Sequence, residues 1–451
     1  MSNSTRKSPE NRLPIVHPHA AGIDIGSREH YVAVDPAVAE PSVRKFGCST
    51  PDLIEMGRWL KSCGVTSIAM ESTGVYWVPV ARLLEDEFEL EVRLVDAHHV
   101  RGVPGRKKTD VQDCQWLQQL HSYGLLSGVF REAPEIAPLK TYHRHRKSLV
   151  EACAQQVHRV QKALDVMNVQ LHKVLSDITG ITGMAILRAI VAGERDPVVL
   201  AQHRHPLVRK SSDEIAKALS GNFLDEQVFV LCQALETYDF IHRQLQSCDA
   251  KIEAYTATLS DRQGPDSGAA KTSKRRRRKN QAHFDLRSEM VRISGVDLTR
   301  IPGIDEMTAY TVISEIGVDV AAFPTEKHFA SWLTLCPNHA ITGGRIRRRR
   351  TRPGASRVSA ALRVAAQTLH KSKSALGALY RRLRARLGAP KAITAVARRL
   401  AVLVYRMLKH GEAFVEKGQD WYETKYQERA LANLKRNAKL LGFAIVPESV
   451  S

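Results

Sequence analysis

No run of about eighteen consecutive apolar residues occurs in this chain, so no membrane-spanning helix is expected. Cysteine pairing is missing as well. The seven cysteines, at positions 48, 63, 114, 153, 232, 248 and 336, form no CxxC pair and no Cys/His zinc spacing. That pattern argues against a disulfide framework or a structural zinc, and for free thiols in a reducing compartment. Residues 1–18 hold no apolar core, so a signal peptide is not expected there and the protein is expected in the cytoplasm. Acidic residues are short relative to basic ones: 47 Asp and Glu stand against 67 Lys and Arg, a formal net charge of +20 over 451 residues. Such an excess favours a polyanionic partner, through phosphate contacts and release of condensed counterions. A basic ribosomal or membrane-surface protein would show the same balance.

What the chain does hold is 43% hydrophobic residues, ordinary for soluble protein and enough for two or three domains with cores. Residues 1–18 read as a disordered polar tail. From 19 to 135 the pattern is α/β, with strands predicted at 22–27, 31–35, 43–48, 67–70 and 91–95 and helices at 51–62, 78–86 and 110–123. Strands first, then strands alternating with helices, suit a mixed sheet covered by helices. From 136 to 260 the period is helical. Val150, Cys153, Val157, Val160, Leu164, Met167, Leu171 and Val174 are spaced alternately three and four apart, an a/d seam that predicts a coiled coil or a long helix pair. Dimerisation is weighed slightly above packing inside one domain. Residues 261–289 read as a flexible basic loop around Lys274, Arg275 and Arg276, either solvated or laid on a nucleic-acid backbone. A third, mainly α unit is expected over 290–442, with a tail at 443–451.

Four carboxylates stand out: Asp24, Glu71, Asp110 and Asp113. Asp24 and Glu71 lie in or at the end of apolar, strand-like runs, where a carboxylate is costly unless a cation or donor stabilises it. Asp110 and Asp113 share one face of a predicted helix. An Asp in a central strand, a Glu ending a neighbouring strand and helical carboxylates make the ribonuclease H-like arrangement for two metal ions acting on a phosphate, which points to Mg²⁺. Lys108 and Thr109, just before the helical pair, are candidates to contact the scissile phosphate. The plain alternative is surface carboxylates, the usual fate of Asp and Glu. Asp-x-Gly at 24–26 also opens the actin-like ATPase fold, but no second copy or adenosine loop follows with conviction. His98 and His99, with Arg101, Arg106 and Lys107, read as a basic loop beside the site rather than a metal centre. Tyr76 and Trp77 could stack on a base, although packing under the sheet is the favoured role.

In the last unit, Ile301-Pro302-Gly303-Ile304 before a helical run at 307–316 reads as helix-hairpin-helix-like, with Gly303 in a turn whose backbone N–H groups could meet phosphate. Asp305 stands where that motif usually has a second glycine. Arg345, Arg347, Arg348, Arg349, Arg350 and Arg352 crowd eight positions, too dense for a one-sided ion-pair face, and are assigned to nucleic acid. Helices are predicted at 357–370 and 391–410, the second burying Ile393, Val396, Leu400, Leu403 and Met407.

Gly22-Ile23-Asp24, Glu71-Ser72-Thr73-Gly74-Val75-Tyr76-Trp77 and Gly105-Arg106-Lys107-Lys108-Thr109-Asp110-Val111-Gln112-Asp113 together resemble the DEDD motifs of insertion-sequence 110-type transposases. Ile301-Pro302-Gly303-Ile304 and Phe329-Ala330-Ser331-Trp332-Leu333 through Gly344 resemble that family's C-terminal transposase domain. The resemblance implies an N-terminal RuvC-like domain, a coiled coil and a C-terminal transposase domain, acting as a homo-oligomer (dimer or tetramer) in the nucleoid. It implies Mg²⁺-dependent cleavage and strand exchange of donor and target DNA, directed by a structured bridge RNA. It also implies a covalent serine nucleophile in a Ser-Gly-Gly segment, completing the carboxylate site of another subunit. Here that segment is Thr342-Gly343-Gly344. Threonine keeps the hydroxyl, while its β-methyl restricts χ1 and crowds an in-line approach. A slower Thr342-based recombinase is the favoured reading, because all four carboxylates remain. The alternatives are a RuvC-like nuclease acting by hydrolysis and a copy that binds nucleic acid without completing recombination. Ser356 and Ser359 are lesser substitutes for the nucleophile.

Overall fold

The computed structural model describes residues 13–72, 74–96, 109–262, 280–343, 345–352, 354, 356–411 and 418–445. It divides into two compact units, Met1–Arg131 and Glu132–Ser451. In the first, β1 (Ala20–Ile25), β2 (Glu29–Ala33), β3 (Val43–Gly47), β4 (Ser67–Glu71) and β5 (Glu91–Val95) form one sheet in the order β3-β2-β1-β4-β5. The β3-β2-β1 half is antiparallel and the β1-β4-β5 half is parallel. β1 and β4 are central and begin with four buried residues each, as strands covered on both faces should.

Helix α1 (Thr50–Ser62) starts at a capping box between Ser49 and Asp52. Its Leu53, Met56 and Leu60 join Val80, Ala81 and Leu84 of α2 (Trp77–Asp86) over Ile23, Ile68 and Met70, on one face of the sheet. The other face is closed by α3 (Asp110–Ser122), whose Leu117 packs with Ala69 and Val95. The expected tail of 1–18 runs too far: Val16 and His17 donate their backbone N–H groups to Ser122 O at 2.7 and 3.0 Å. The His17 ring also stacks on His121, with centroids 4.7 Å apart. Two backbone hydrogen bonds and a ring stack hold this segment, and neither leaves a periodic trace in so short a polar sequence.

The second unit is built on two long helices, α4 (Ala137–Val166) and, after four shorter ones, α9 (Asp225–Thr256). They run antiparallel, since Arg146 meets Asp249 while Tyr142 meets Tyr255. The four between them are α5 (Leu171–Val174), α6 (Ile181–Val191), α7 (Pro197–Ala201) and α8 (Ser212–Leu219). The predicted seam does not continue as one helix. α4 ends at Val166, and Asn168 turns left-handed at φ 55°, so Leu171 and Val174 fall on the separate α5. Val160, Leu164, Met167 and Leu171 are buried in the unit's own core with Ile186, Ile215 and Leu231. Packing within the domain accounts for these positions; the apolar spacing passed through the turn because both helices face one core.

After α9 come α10 (Leu286–Ser294), a 3₁₀ turn (Leu298–Arg300), α11 (Glu306–Ile316) and α12 (Glu326–Trp332). A two-stranded hairpin follows, β6 (Pro337–Thr342) with β7 (Arg345–Thr351), then α13 (Arg357–Thr368), α14 (Ala375–Leu387), α15 (Ala389–His410) and α16 (Gly418–Leu440). On α15 the buried face is Val396, Ala397, Leu400, Ala401, Val404 and Met407, slightly rotated from the predicted stripe. α14 and α16 were not apparent in the sequence: α14 is rich in arginine and α16 buries no residue. Among the described residues no helix is long and apolar enough to cross a membrane.

One buried group gives this unit an acid-sensitive stability. His143 of α4 lies edge-on to Tyr310 of α11, ring centroids 4.5 Å apart, with its Nε2 3.2 Å from Thr311 Oγ1. Burial lowers its pKa from 6.5 to about 4. The folded unit keeps the imidazole neutral, so the unfolded chain binds the extra proton and acid favours unfolding. This stability is whole above pH 6.5 and is lost as pH falls to about 4. The melting temperature should therefore fall less steeply between those limits in His143→Gln than in the wild type. Equal slopes in the two melting series would remove His143 from the account.

Candidate active site

Asp24 interrupts an otherwise apolar strand, and alternation along β1 puts Gly22 and Asp24 on the face opposite Ile23. Ile23 lies in the core under α1 and α2. Gly22 faces α3 so closely that a Cβ on it would lie 2.3 Å from both Cys114 O and Gln118 N. Only glycine lets the helix backbone settle directly on the strand here. Gln118 reinforces the contact, donating its amide to Ala20 O at 3.4 Å. The sheet-facing residues of α3 are Cys114, Leu117, Gln118 and His121. Asp110 and Asp113 lie one turn earlier on the same side, at the helix N-terminus.

Glu71 is the last residue of β4, and the parallel ladder pairs Ile23 with Met70. One residue further on, at the carboxyl ends of both strands, Asp24 and Glu71 come side by side on the same face. The electrostatics agree with this placement. Burial pushes the Cys114 thiol up to about 12, helped by the charge of Asp24 and, less, by that of Asp110. Tyr31, paired with Asp24 across the β1–β2 ladder, has its phenol raised by the hydrogen bond to Glu29, by burial, and by the charges of Glu29 and Asp110. Asp24 and Asp110 therefore both act on Cys114.

Among the described residues no three His, Cys, Asp or Glu side chains are grouped so as to hold a metal ion. The four candidate side chains are nevertheless of one kind. Carboxylate oxygens from two adjacent strand ends and a helix N-terminus suit a hard divalent cation such as Mg²⁺ and offer nothing to a soft one.

The other sequence-derived residues divide. Thr109 caps α3, its hydroxyl oxygen accepting from Gln112 N at 3.3 Å, which leaves the hydroxyl hydrogen for another acceptor. Lys108, His98, His99, Arg101, Arg106 and Lys107 lie outside the described residues, as do Lys274, Arg275 and Arg276. Tyr76 and Trp77 part company: Trp77 packs against the core under the Arg131 guanidinium, 5.6 Å from its ring centre, while Tyr76 stays 49% exposed. Tyr76 keeps a face that a base could stack on.

In the second unit, Thr342 is exposed at the end of β6 and pairs with Arg345 at the start of β7. Gly343 has φ 55°, the left-handed conformation that a tight hairpin turn requires. The arginine run is thus mainly a strand: Arg345, Arg347, Arg348, Arg349 and Arg350 lie on β7, with Arg352 just beyond, and Arg345, Arg347 and Arg352 are exposed. The Gly-Gly pair flanked by apolar Ile341 and Ile346 was the signal for this hairpin. Ser356 caps α13 and Ser359 is fully buried, so neither presents a hydroxyl as openly as Thr342 does.

Gly303 has φ 93°, and a Cβ on it would meet Ala365 O at 2.8 Å. Its turn packs on the C-terminal end of α13, and Asp305 caps α11 by accepting from Thr308 N at 2.9 Å. Both residues thus have packing or capping roles. A carboxylate at the start of α11 takes the place a bound phosphate would use there.

Residues 21–169 match a family model for DEDD transposases of the IS110 type. Residues 297–381 match the model described as the transposase IS116/IS110/IS902 family. The two segments together cover just over half of the chain, and the first contains all four carboxylates while the second contains Thr342. No curated protein matches the chain.

Proposed function

Because this chain belongs to the IS110 family of transposases and is a DNA-cleaving and recombining enzyme, we propose that it exchanges DNA strands through Asp24, Glu71, Asp110, Asp113 and Thr342. The observation that carries this reading is that Asp24 and Glu71 end adjacent strands on the face where α3 rests at Gly22, and that the charges of Asp24 and Asp110 both reach Cys114. The antiparallel-then-parallel strand order supports a RuvC-like domain.

The four carboxylates would hold Mg²⁺, which when bound supplies charge to the phosphate oxygens and the leaving oxygen. The chain's own residues do the rest. Asp24 and Glu71 are fixed by the sheet, so they would hold a cation toward the phosphate without rearranging their backbone. Thr342 Oγ1 bonds to phosphorus as the bond from phosphorus to a deoxyribose oxygen breaks, and the hydroxyl proton passes to the departing oxygen or to water. An incoming strand's hydroxyl reverses the step, releasing Thr342. The exposed hairpin arginines Arg345, Arg347 and Arg352 hold the backbone by charge. Donor and target DNA, a structured guide RNA and other copies of this chain are the proposed partners, in a cytoplasmic, nucleoid-associated setting.

Covalent trapping tests the nucleophile. Denaturing gels of protein with donor DNA, RNA and Mg²⁺ should show an adduct in the wild type, none in Thr342→Ala, and at least as much in Thr342→Ser. Unimpaired cleavage by Thr342→Ala without an adduct would instead identify a hydrolytic nuclease. An adduct in Thr342→Ser alone would mark a wild type that binds DNA without completing the chemistry.

A further inference from the structure

The carboxylate site has a neighbour on the antiparallel half of the sheet. Asp24 pairs with Tyr31 on β2, and Tyr31 pairs with Lys45 on β3. Residues paired across a ladder point to the same face, so Lys45 and Tyr31 continue the row that starts at Glu71 and Asp24. Glu29, two residues before Tyr31 and so on the same face, ties them together. Tyr31 donates its hydroxyl to Glu29 Oε1 at 3.0 Å, and Lys45 Nζ sits 2.9 Å from Glu29 Oε2. The Lys45 side chain is 56% exposed and Glu29 is 43% exposed, so the group is open to solvent.

As a stabilising device this trio is weak, because solvent screens an exposed Lys–Glu pair and holding two long side chains costs entropy. Its position suggests a different use. A DNA strand brings one negative charge per phosphate to a row that already carries Asp24 and Glu71, and an ammonium group in the same row attracts that phosphate. Lys45 spends one of its three N–H donors on Glu29 and keeps two. Tyr31 has a single hydroxyl proton, which goes to Glu29, so it positions the group without binding. Glu29 holds the flexible lysine stem at the level of Asp24, lowering the entropy lost when phosphate is bound.

We propose that Lys45, held in place by Glu29 and Tyr31, binds a backbone phosphate of the DNA strand entering the carboxylate site. The strand's path then runs from β4 and β1 across β2 to β3. This rests on the DNA-cleaving reading for the identity of the ligand, and the test keeps the two apart.

Full-length protein is titrated with fluorescent DNA in chelator, where no cleavage is read, over a range of salt concentrations. Lys45→Gln should reduce the slope of log affinity against log salt by roughly 0.7–0.9, the value for one lost phosphate contact. Lys61→Gln, an exposed substitution on α1 across the sheet, should leave the slope unchanged. Lys45→Arg should restore it. With Mg²⁺ added, Lys45→Gln should raise KM for DNA more than it lowers kcat. An unchanged slope in Lys45→Gln, or an equal fall in Lys61→Gln, would overturn the proposal, the latter because it reports only overall charge. A wild type that binds with the expected Lys45 dependence yet never cleaves would refute the catalytic reading and leave this site standing. A wild type that does not bind DNA overturns both.

Discussion

Asp24→Ala should reduce DNA cleavage at least about 10³-fold in single turnover while leaving DNA binding in chelator almost unchanged. Asp24 is the carboxylate most tightly built into the fold. Its strand is paired on both sides, by Tyr31 across the β1–β2 ladder and by β4 in parallel, and Gly22 two residues earlier is in backbone contact with α3. Removing one carboxylate from a metal-holding set takes away several kcal/mol of stabilisation of the transferring phosphate, and each 1.36 kcal/mol is tenfold in rate. Thermal melting should separate this loss from unfolding, because Asp24 is only half-buried and is not part of the apolar core. Asp24→Asn is the closer control: it keeps the shape and removes the charge, and it should be nearly as inactive. Cleavage within tenfold of wild type in Asp24→Asn would mean that Asp24 holds no ion.

Asp249→Ala should lower the stability of the second unit by about 3–5 kcal/mol, the usual cost of leaving one partner of a buried ion pair uncompensated. Asp249 and Arg146 are 1% and 2% exposed, joined by two hydrogen bonds at 2.5 and 3.2 Å between α9 and α4. Asp249 also accepts from His283 N at 3.1 Å and lies 2.7 Å from His283 Nδ1, while Arg146 reaches Asn280 O at 3.1 Å. The pair thus fastens the two long helices to the segment that leads into α10. Without the carboxylate, Arg146 stays buried with only a carbonyl for a partner. The melting temperature should fall on the order of 10 °C. Removing both charges in Arg146→Met/Asp249→Leu should recover most of the loss, because no ion is then left dehydrated. A single Asp249→Ala that melts with the wild type would show that water or a relaxed Arg146 compensates fully.

The ladder of β1 to β5 was legible because each strand carries its own apolar pattern, bounded by turn residues. Asp24 and Glu71 were legible for the same reason, as carboxylates inside or ending apolar runs. The Arg146–Asp249 pair was not. Its members are 103 positions apart, and Asp249 stands in a helix whose surroundings look unremarkable. The seam from Val150 to Val174 misled in the opposite direction: its spacing is real, but Asn168 breaks the helix and the residues beyond it pack back into the same core. At Thr342 the hairpin was written in Gly343-Gly344, yet the neighbouring arginines hid the strand, since six like charges in eight positions do not resemble a ladder.

The sequence by itself determined the chemical kind of this protein: its strands, its carboxylates, its basic excess and the threonine at 342. These are properties of residue type and short-range spacing, and a linear pattern carries them. Only the tertiary structure decided which groups become neighbours. Gly22 matters because a helix almost a hundred residues later rests on it, Lys45 because two ladders in register bring it level with Asp24, and Asp249 because an arginine from another helix is buried against it. Each of those contacts depends on the relative position of distant segments. That position is set by the burial of whole helix and sheet faces, a sum over many residues that no local motif records.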